Sequence, residues 1–358
     1  MVVARSDRAL GRASDWWRSR PLLSFTARRA AALVMLVVGI TAVAFVLTHI
    51  VPGDPVASNL GESASANPAI VKAFKERYGL DKPLWQQYEI YMSNLIHGDL
   101  GTSQQTHHPV ARDLGEYIPA TAELGLTSSL IALLLGIPLG LLAAMRANTA
   151  ADQALRLVSL SGLSVPVFWL ALMSLYVFYL KLDWLPVGGR LDPGMVPPSH
   201  LTGLYTVDAL LAGDVNTFLN AAYHLALPAA VLSAYNIGLL TRFTRSAALE
   251  VIGEEYITAA RAKGLPTLTI ATRHVLVAAL PPIITITGLG VANVITGATL
   301  IETIFSWPGL GQYAFRSAVS LDVPSIMGVS MFVALVYVTV NFGVDVLHML
   351  VDPRLHPQ

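Results

Sequence analysis

The sequence predicts an all-α integral-membrane fold of six transmembrane helices, with a polar external segment between the first and the second. Three observations carry this. Hydrophobic residues fill 54% of the 358 positions and charged residues only 13%, well below the charge of a soluble domain. Apolar runs long enough to cross about 30 Å of hydrocarbon recur along the chain. Lys and Arg gather on alternate connections between those runs. The absence of cysteine removes disulfides and thiolate metal sites, and a formal net charge of zero gives no case for nucleic acid.

Residues 1–29 read as a solvated tail, rich in Arg5, Arg8, Arg12, Arg18, Arg20 and Arg28, with Trp16 and Trp17 suited to the headgroup level. Residues 30–51 carry no Lys, Arg, Asp or Glu and form the first span. The run ends in His49-Ile50-Val51-Pro52 rather than in a small-residue cleavage site, so it reads as uncleaved. Residues 52–119 form an external segment punctuated by Pro52, Pro55, Pro68 and Pro83, with helical patterning over Ala69–Tyr78 and Pro83–Leu95. His107 and His108 are adjacent, which denies them a shared helix face, and no metal site is expected there.

The second span runs from about Thr121 to Met145. Gly136 and Gly140 within it form a small-xxx-small face for close helix packing. The third, roughly Leu157 to Leu180, is expected to kink at Pro166. Residues 181–223 return outside, ending in an amphipathic stretch, Val207–Tyr223, suited to lying on the membrane surface. The fourth span is short, about Leu225 to Thr241. The fifth covers about Val275 to Leu300 and the sixth about Ile326 to Leu350.

Between the fourth and fifth spans lies the polar interruption Glu254-Glu255-Tyr256-Ile257-Thr258-Ala259-Ala260-Arg261-Ala262-Lys263-Gly264-Leu265-Pro266. It reads as a short helix with both ends marked. Glu254 and Glu255 at its start and Arg261 and Lys263 at its finish suit the helix dipole. Gly264 stands where a left-handed residue closes a helix, and Pro266 forbids continuation. Ala259 and Ala260 offer a face with almost no side chain, against which another protein can pack.

The residues at this interruption resemble the cytoplasmic EAA…G signature of ATP-binding-cassette importer permeases. Tyr256–Leu265 is similar to the form found in the dipeptide/oligopeptide/nickel permease family, with Thr258 in place of the leading Glu. Glu302-Thr303-Ile304-Phe305-Ser306-Trp307-Pro308-Gly309-Leu310-Gly311 and Gly98-Asp99-Leu100-Gly101-Thr102-Ser103 look like further landmarks of that family. The resemblance implies a type I importer permease fold, with a five-helix core over 120–351 and a short tail at 352–358. It implies that 254–264 is a coupling helix docking into an ATPase subunit, and that Trp307, Pro308, Gly309, Leu310 and Gly311 are candidates for contact with a binding protein. The implied partners are a second related permease, two ATPase subunits that hold ATP and Mg, and an extracytoplasmic binding protein. The implied cargo is a short peptide, with nickel chelates or glutathione as variants.

The chain has no phosphate-binding Gly-x-x-x-x-Gly-Lys-Ser/Thr motif, and neither hydrolase motif His-Glu-x-x-His nor Gly-x-Ser-x-Gly. It is expected to be no enzyme and to hold no cofactor or metal of its own. Energy would come from a partner ATPase or, in the alternative reading, from an ion gradient. A gradient-driven secondary transporter needs titratable groups at the membrane midplane, whereas Glu123, Glu302 and Asp345 sit near span ends. A non-transporting scaffold that binds the ATPase is a third reading. Asn236 and Asn293 are more central and are candidates for the translocation path, with interhelical hydrogen bonding the plainer use of both. With the N-terminus inside, most of the 23 Lys and Arg fall on inner segments. This places both termini and residues 248–274 on the cytoplasmic side of the cell membrane.

Overall fold

The computed structural model describes residues 34–43, 45–46, 67–78 and 81–351. The basic tail with Trp16 and Trp17, parts of the first predicted span and of the external segment, Gly79-Leu80 and the tail 352–358 lie outside the described residues. The described chain is helical, with one isolated bridge between Thr102 and Pro109. It divides into two compact units, one drawn from residues 53–329 and one from residues 1–52 with 330–358.

The second unit contributes α1 (Val34–Val43), a short apolar helix that covers part of the first predicted span. In the larger unit α2 (Pro68–Tyr78) and α3 (Leu84–Ile96) fall where the external segment is patterned for helix. Next come α4 (Val110–Met145), α5 (Ala150–Ser164) and α6 (Val167–Ser174), the last continued by a π-type turn over Leu175–Lys181. A short α7 (Tyr205–Leu211) precedes α8 (Val215–Ile252), and α9 (Glu255–Ala262) follows. A lead-in over Thr267–Val275 opens α10 (Leu276–Ile304), and α11 (Leu310–Val319) stands before α12 (Val323–Val351), which passes from one unit into the other.

Among the described residues four helices are long and apolar enough to cross a membrane: α4, α8, α10 with its lead-in, and α12. A fifth crossing results if α5 and α6 count as one. The kink expected at Pro166 is a break. Ser164 ends one helix, Pro166 caps the next, and the two meet at 101°. Proline removes a donor and also pushes its predecessor out of helical conformation, so Val165 is extended.

Two predicted boundaries move. The fourth span is no short helix preceded by a surface helix. The Asp214 carboxylate accepts from Thr217 N–H at 3.0 Å, and α8 then runs unbroken for 38 residues through Pro228, Arg242 and Arg245. The stretch Val207–Tyr223 is thereby split between α7 and α8. Likewise α4 begins at Val110, inside the polar segment. An apolar window marks the lipid-facing part of such a helix, while its polar extensions are held by caps and packing.

Helices α4 and α8 run side by side in the same direction. A Cβ on Gly136 would lie 2.7 Å from Leu240 Cβ, and one on Gly140 would lie 2.6 Å from Thr241 O. The small face expected of these two glycines is thus where α8 packs. Helix α10 runs the opposite way, with Gly125 beside Val294 and Thr121 beside Glu302. One buried cluster, including Leu124, Leu232, Ile301 and Trp307, lies toward the Val110 end of α4; another, including Ala144, Ile257 and Val275, lies at its Met145 end.

Candidate functional site

Helix α9 is built as its sequence dictates. Glu254 is the N-cap residue, Glu255 lies in the first turn and Arg261 in the last. Gly264 adopts φ +77°. Its N–H reaches Arg261 O at 2.9 Å, and the Leu265 N–H reaches Ala260 O at 3.3 Å. This is the two-bond Schellman closure, which satisfies carbonyls that a helix end otherwise strands. Pro266 is the N-cap residue of the lead-in to α10.

One side of α9 belongs to the chain itself. Ile257 is fully buried and Ala260 nearly so, and they pack with Ala144, Ala248, Ile270 and Val275. The expected alanine face therefore divides. Ala260 is turned inward, because successive helical residues point about 100° apart, and its small size lets α9 settle onto α4, α8 and the lead-in. Ala259 is turned outward with Tyr256 and Lys263, at spacings i, i+3 and i+7. Glu254, Glu255, Thr258, Arg261, Ala262 and Gly264 are also exposed. The result is a rod of about 12 Å, rooted on a packed base with an open outer stripe.

A buried ion pair stiffens the same end. Asp152 is fully buried and accepts from Arg245 Nε at 2.6 Å and Nη2 at 2.8 Å. It also accepts from the Asn148 N–H at 3.0 Å, while Thr149 caps α5. The pair ties the first turn of α5 to α8 one and a half to two turns before α8 ends. Sequence reasoning passes over Asp152. The available signal is Thr149-Ala150-Ala151-Asp152, a capping-box spacing that places a carboxylate at a helix start.

At the Val110 end the candidate contact loop behaves differently from expectation. Trp307, Gly309, Leu310 and Gly311 are buried, and Pro308 alone of the five is exposed. Most of the stretch expected at a docking surface is therefore covered by the chain itself. The cause is Glu302, which is fully buried. It accepts from Thr121 Oγ1 at 2.6 Å and from the Gln312 N–H at 2.8 Å, in the first turn of α11. Thr121 Oγ1 accepts in turn from the Leu310 N–H at 2.7 Å. Trp307 donates its indole N–H to Ala120 O at 2.9 Å. Gly309 and Gly311 are small because the Glu302 carboxylate and Thr299 occupy the space a Cβ needs. The landmark is an internal latch closing α10 and α11 onto α4.

Neighbouring contacts extend it. Arg190 donates to Glu123 Oε2 at 2.6 Å and to Gly203 O at 2.8 Å, with its guanidinium 3.4 Å from the centre of the Tyr205 ring. Asp208 accepts from the Thr202 hydroxyl and from the Thr202 and Gly203 amides. Burial pushes its carboxyl up, but these bonds outweigh it and hold the group below its ordinary range. Asp322, fully buried, accepts from Ser103 Oγ at 2.5 Å and Ser325 Oγ at 2.8 Å, which gives the Gly98–Ser103 landmark a structural partner.

The two candidate path residues differ in exposure. Asn293 is exposed on α10. Asn236 on α8 is buried and, with Leu240 of the same helix, lines a recess with Ser129, Ala132 and Leu133 of α4 and Ile286, Thr287, Gly290 and Val291 of α10.

The profile of the family described as binding-protein-dependent transport system inner membrane component matches residues 136–357, and that of its N-terminal companion matches residues 22–125. The chain is 44% identical over 332 residues to the probable D,D-dipeptide transport system permease protein DdpB of Escherichia coli K12, covering 93% of this chain and 97% of that one. It is 40% identical over 337 residues to the di/tripeptide transport system permease protein DppB of Pseudomonas aeruginosa, covering 94% and 100%. It is 38% identical over 334 residues to the dipeptide transport system permease protein DppB of Alkalihalophilus pseudofirmus, covering 93% and 99%. A solved structure of the MetNI methionine ABC transporter, inward facing, aligns at a TM-score of 0.48 and 16% identity over 65% of this chain and 93% of that one. That likeness is too distant to carry an argument.

Proposed function

From the premise that this chain belongs to the family of binding-protein-dependent transport system inner membrane components, we propose that it forms half of the membrane path of an ATP-driven importer of short peptides. The peptide assignment draws on relatives named for dipeptides, D,D-dipeptides and di/tripeptides. Its partners are a second, related permease, two ATPase subunits that bind ATP and Mg, and an extracytoplasmic binding protein that delivers cargo. The Lys and Arg bias supports a cytoplasmic place for both termini, α9 and the Met145 end of α4.

One observation supports the mechanism above the others: α9 presents an outward surface that includes Tyr256, Ala259 and Lys263 on a base of Ile257 and Ala260. A rod that docks in an ATPase cleft needs an exposed outer surface, here with the small Ala259 between Tyr256 and Lys263, and an inner surface that does not slip. Two residues join α9 to α8, and Lys263-Gly264-Leu265-Pro266 join it to the lead-in of α10. Displacement of α9 by closing ATPases therefore passes into both long helices with little slack. The path opens outward on ATP binding and inward after hydrolysis.

The test is Ala259→Trp in the assembled complex. Ala259 is exposed, so the fold tolerates the change, while the indole occupies space the ATPase would need. Cargo-stimulated ATP hydrolysis and uptake are expected to fall at least about tenfold, as for a lost docking contact worth ~1.4 kcal/mol or more. Gly264→Leu is the companion: its Cβ meets open space, but φ +77° costs a branched residue about 1–2 kcal/mol, loosening the end of α9. If Ala259→Trp transports at the normal rate in an intact complex, α9 is not the coupling element.

A further inference from the structure

The recess between α4, α8 and α10 holds two polar atoms with no hydrogen-bond partner. They are Asn236 Oδ1, on a side chain 6% exposed, and Ser129 Oγ. Each lies near the middle of a helix of 36 or 38 residues, far from either end. At that depth an asparagine ordinarily spends its carbonyl on a neighbouring helix, since hydrocarbon offers no alternative. Asn236 Oδ1 does not. The facing residue on α10 is Gly290, where a Cβ would stand 3.1 Å from Oδ1. Glycine there sets no side chain against the oxygen, which is itself buried. Thr287, one turn along, also lines the recess.

None of the nine residues lining the recess is ionisable. The set offers one carbonyl acceptor and hydroxyls that can donate or accept. That is the complement of a neutral amide: an N–H for Asn236 Oδ1 and a C=O for Ser129 Oγ. A site of this chemistry reads the main chain of a peptide and ignores its side chains. We infer that the Asn236–Ser129 recess is a contact site for the main-chain peptide group of the cargo as it crosses the membrane. The inference rests on the peptide-importer reading above, and it adds a place where the permease itself touches what it moves.

The experiment uses the complete transporter in proteoliposomes with its binding protein and ATP. The cargo is a dipeptide, or the same dipeptide methylated at its one amide nitrogen. Comparing the two cargoes within each permease cancels whatever the binding protein contributes, because that protein is unchanged. The expected result is that the methylation penalty on uptake kcat/KM shrinks by roughly five- to tenfold in Asn236→Leu, the size of one buried hydrogen bond. Gly290→Ala, which crowds the same oxygen, should shrink it in the same direction and serves if Asn236→Leu fails to assemble. Equal loss for both cargoes in each variant that assembles overturns the inference and assigns the recess to helix packing or to a resident water. A wild-type complex that moves neither cargo refutes the peptide-importer reading itself, and this inference with it.

Discussion

Arg245→Met is expected to destabilise the permease by about 3–5 kcal/mol, because it leaves a fully buried carboxylate without its counter-ion. Asp152 would keep the Asn148 N–H, but one amide does not replace a bidentate guanidinium. Asp152→Asn should cost less, about 1–3 kcal/mol. The stranded group is then Arg245, whose side chain is 20% exposed and can reach water. The paired change Asp152→Leu with Arg245→Met should recover much of the loss, since no charge remains buried. Thermal unfolding of the purified permease in detergent orders the three. If Asp152→Asn proves the more damaging single change, the charge on Asp152 is not what Arg245 neutralises. A drop in coupled ATP hydrolysis at temperatures where the Asp152→Asn protein stays folded would further place the α5–α8 clamp in the force path from α9.

How much of the molecule was legible depended on whether a feature is local. The places of α4, α10 and α12 were legible, because hydrocarbon demands long apolar runs and little else. The closure of α9 was legible too: a glycine after Arg261 and Lys263, with proline two residues on, specifies a left-handed residue, and Gly264 has one. The lengths of α4 and α8 were not, because Val110–Pro119 and Arg242–Ile252 are too polar to register in an apolar window yet continue the same helices. The orientation of Ala260 was hidden for a related reason. A small residue suits packing against a partner and against its own chain equally well, and only Ile257 three residues earlier hints which way the helix turns. The pairs Glu123 with Arg190, Asp152 with Arg245 and Thr121 with Glu302 join residues far apart in the chain. Spacing carries no information about such partners until the helices are laid side by side.

Trp307 belongs to a motif whose role turns on which way its side chains point, and Trp307→Ala separates the two possibilities. A docking residue would lose affinity for the binding protein at unchanged stability. The latch predicts the opposite. Trp307 is 1% exposed, belongs to the cluster with Leu124, Leu232 and Ile301, and donates to Ala120 O. Removing its ring should cost about 3–5 kcal/mol through the cavity and the lost contacts. Trp307→Phe retains most of the packing and loses one hydrogen bond to a carbonyl that α4 already pairs within the helix, so a cost of about 0.5–1.5 kcal/mol is expected. Gly311→Ala provides a check that leaves Trp307 untouched. Its Cβ would fall 2.6 Å from Thr299 Cα, a backbone atom that cannot swing aside, so about 1–3 kcal/mol of overpacking is expected. Unfolding temperature and binding-protein affinity, measured on the same assembled complex, decide the matter. Unfolding temperatures that fall in the order Trp307→Ala below Trp307→Phe below wild type identify a latch, and an unchanged unfolding temperature with weakened binding would restore the docking role.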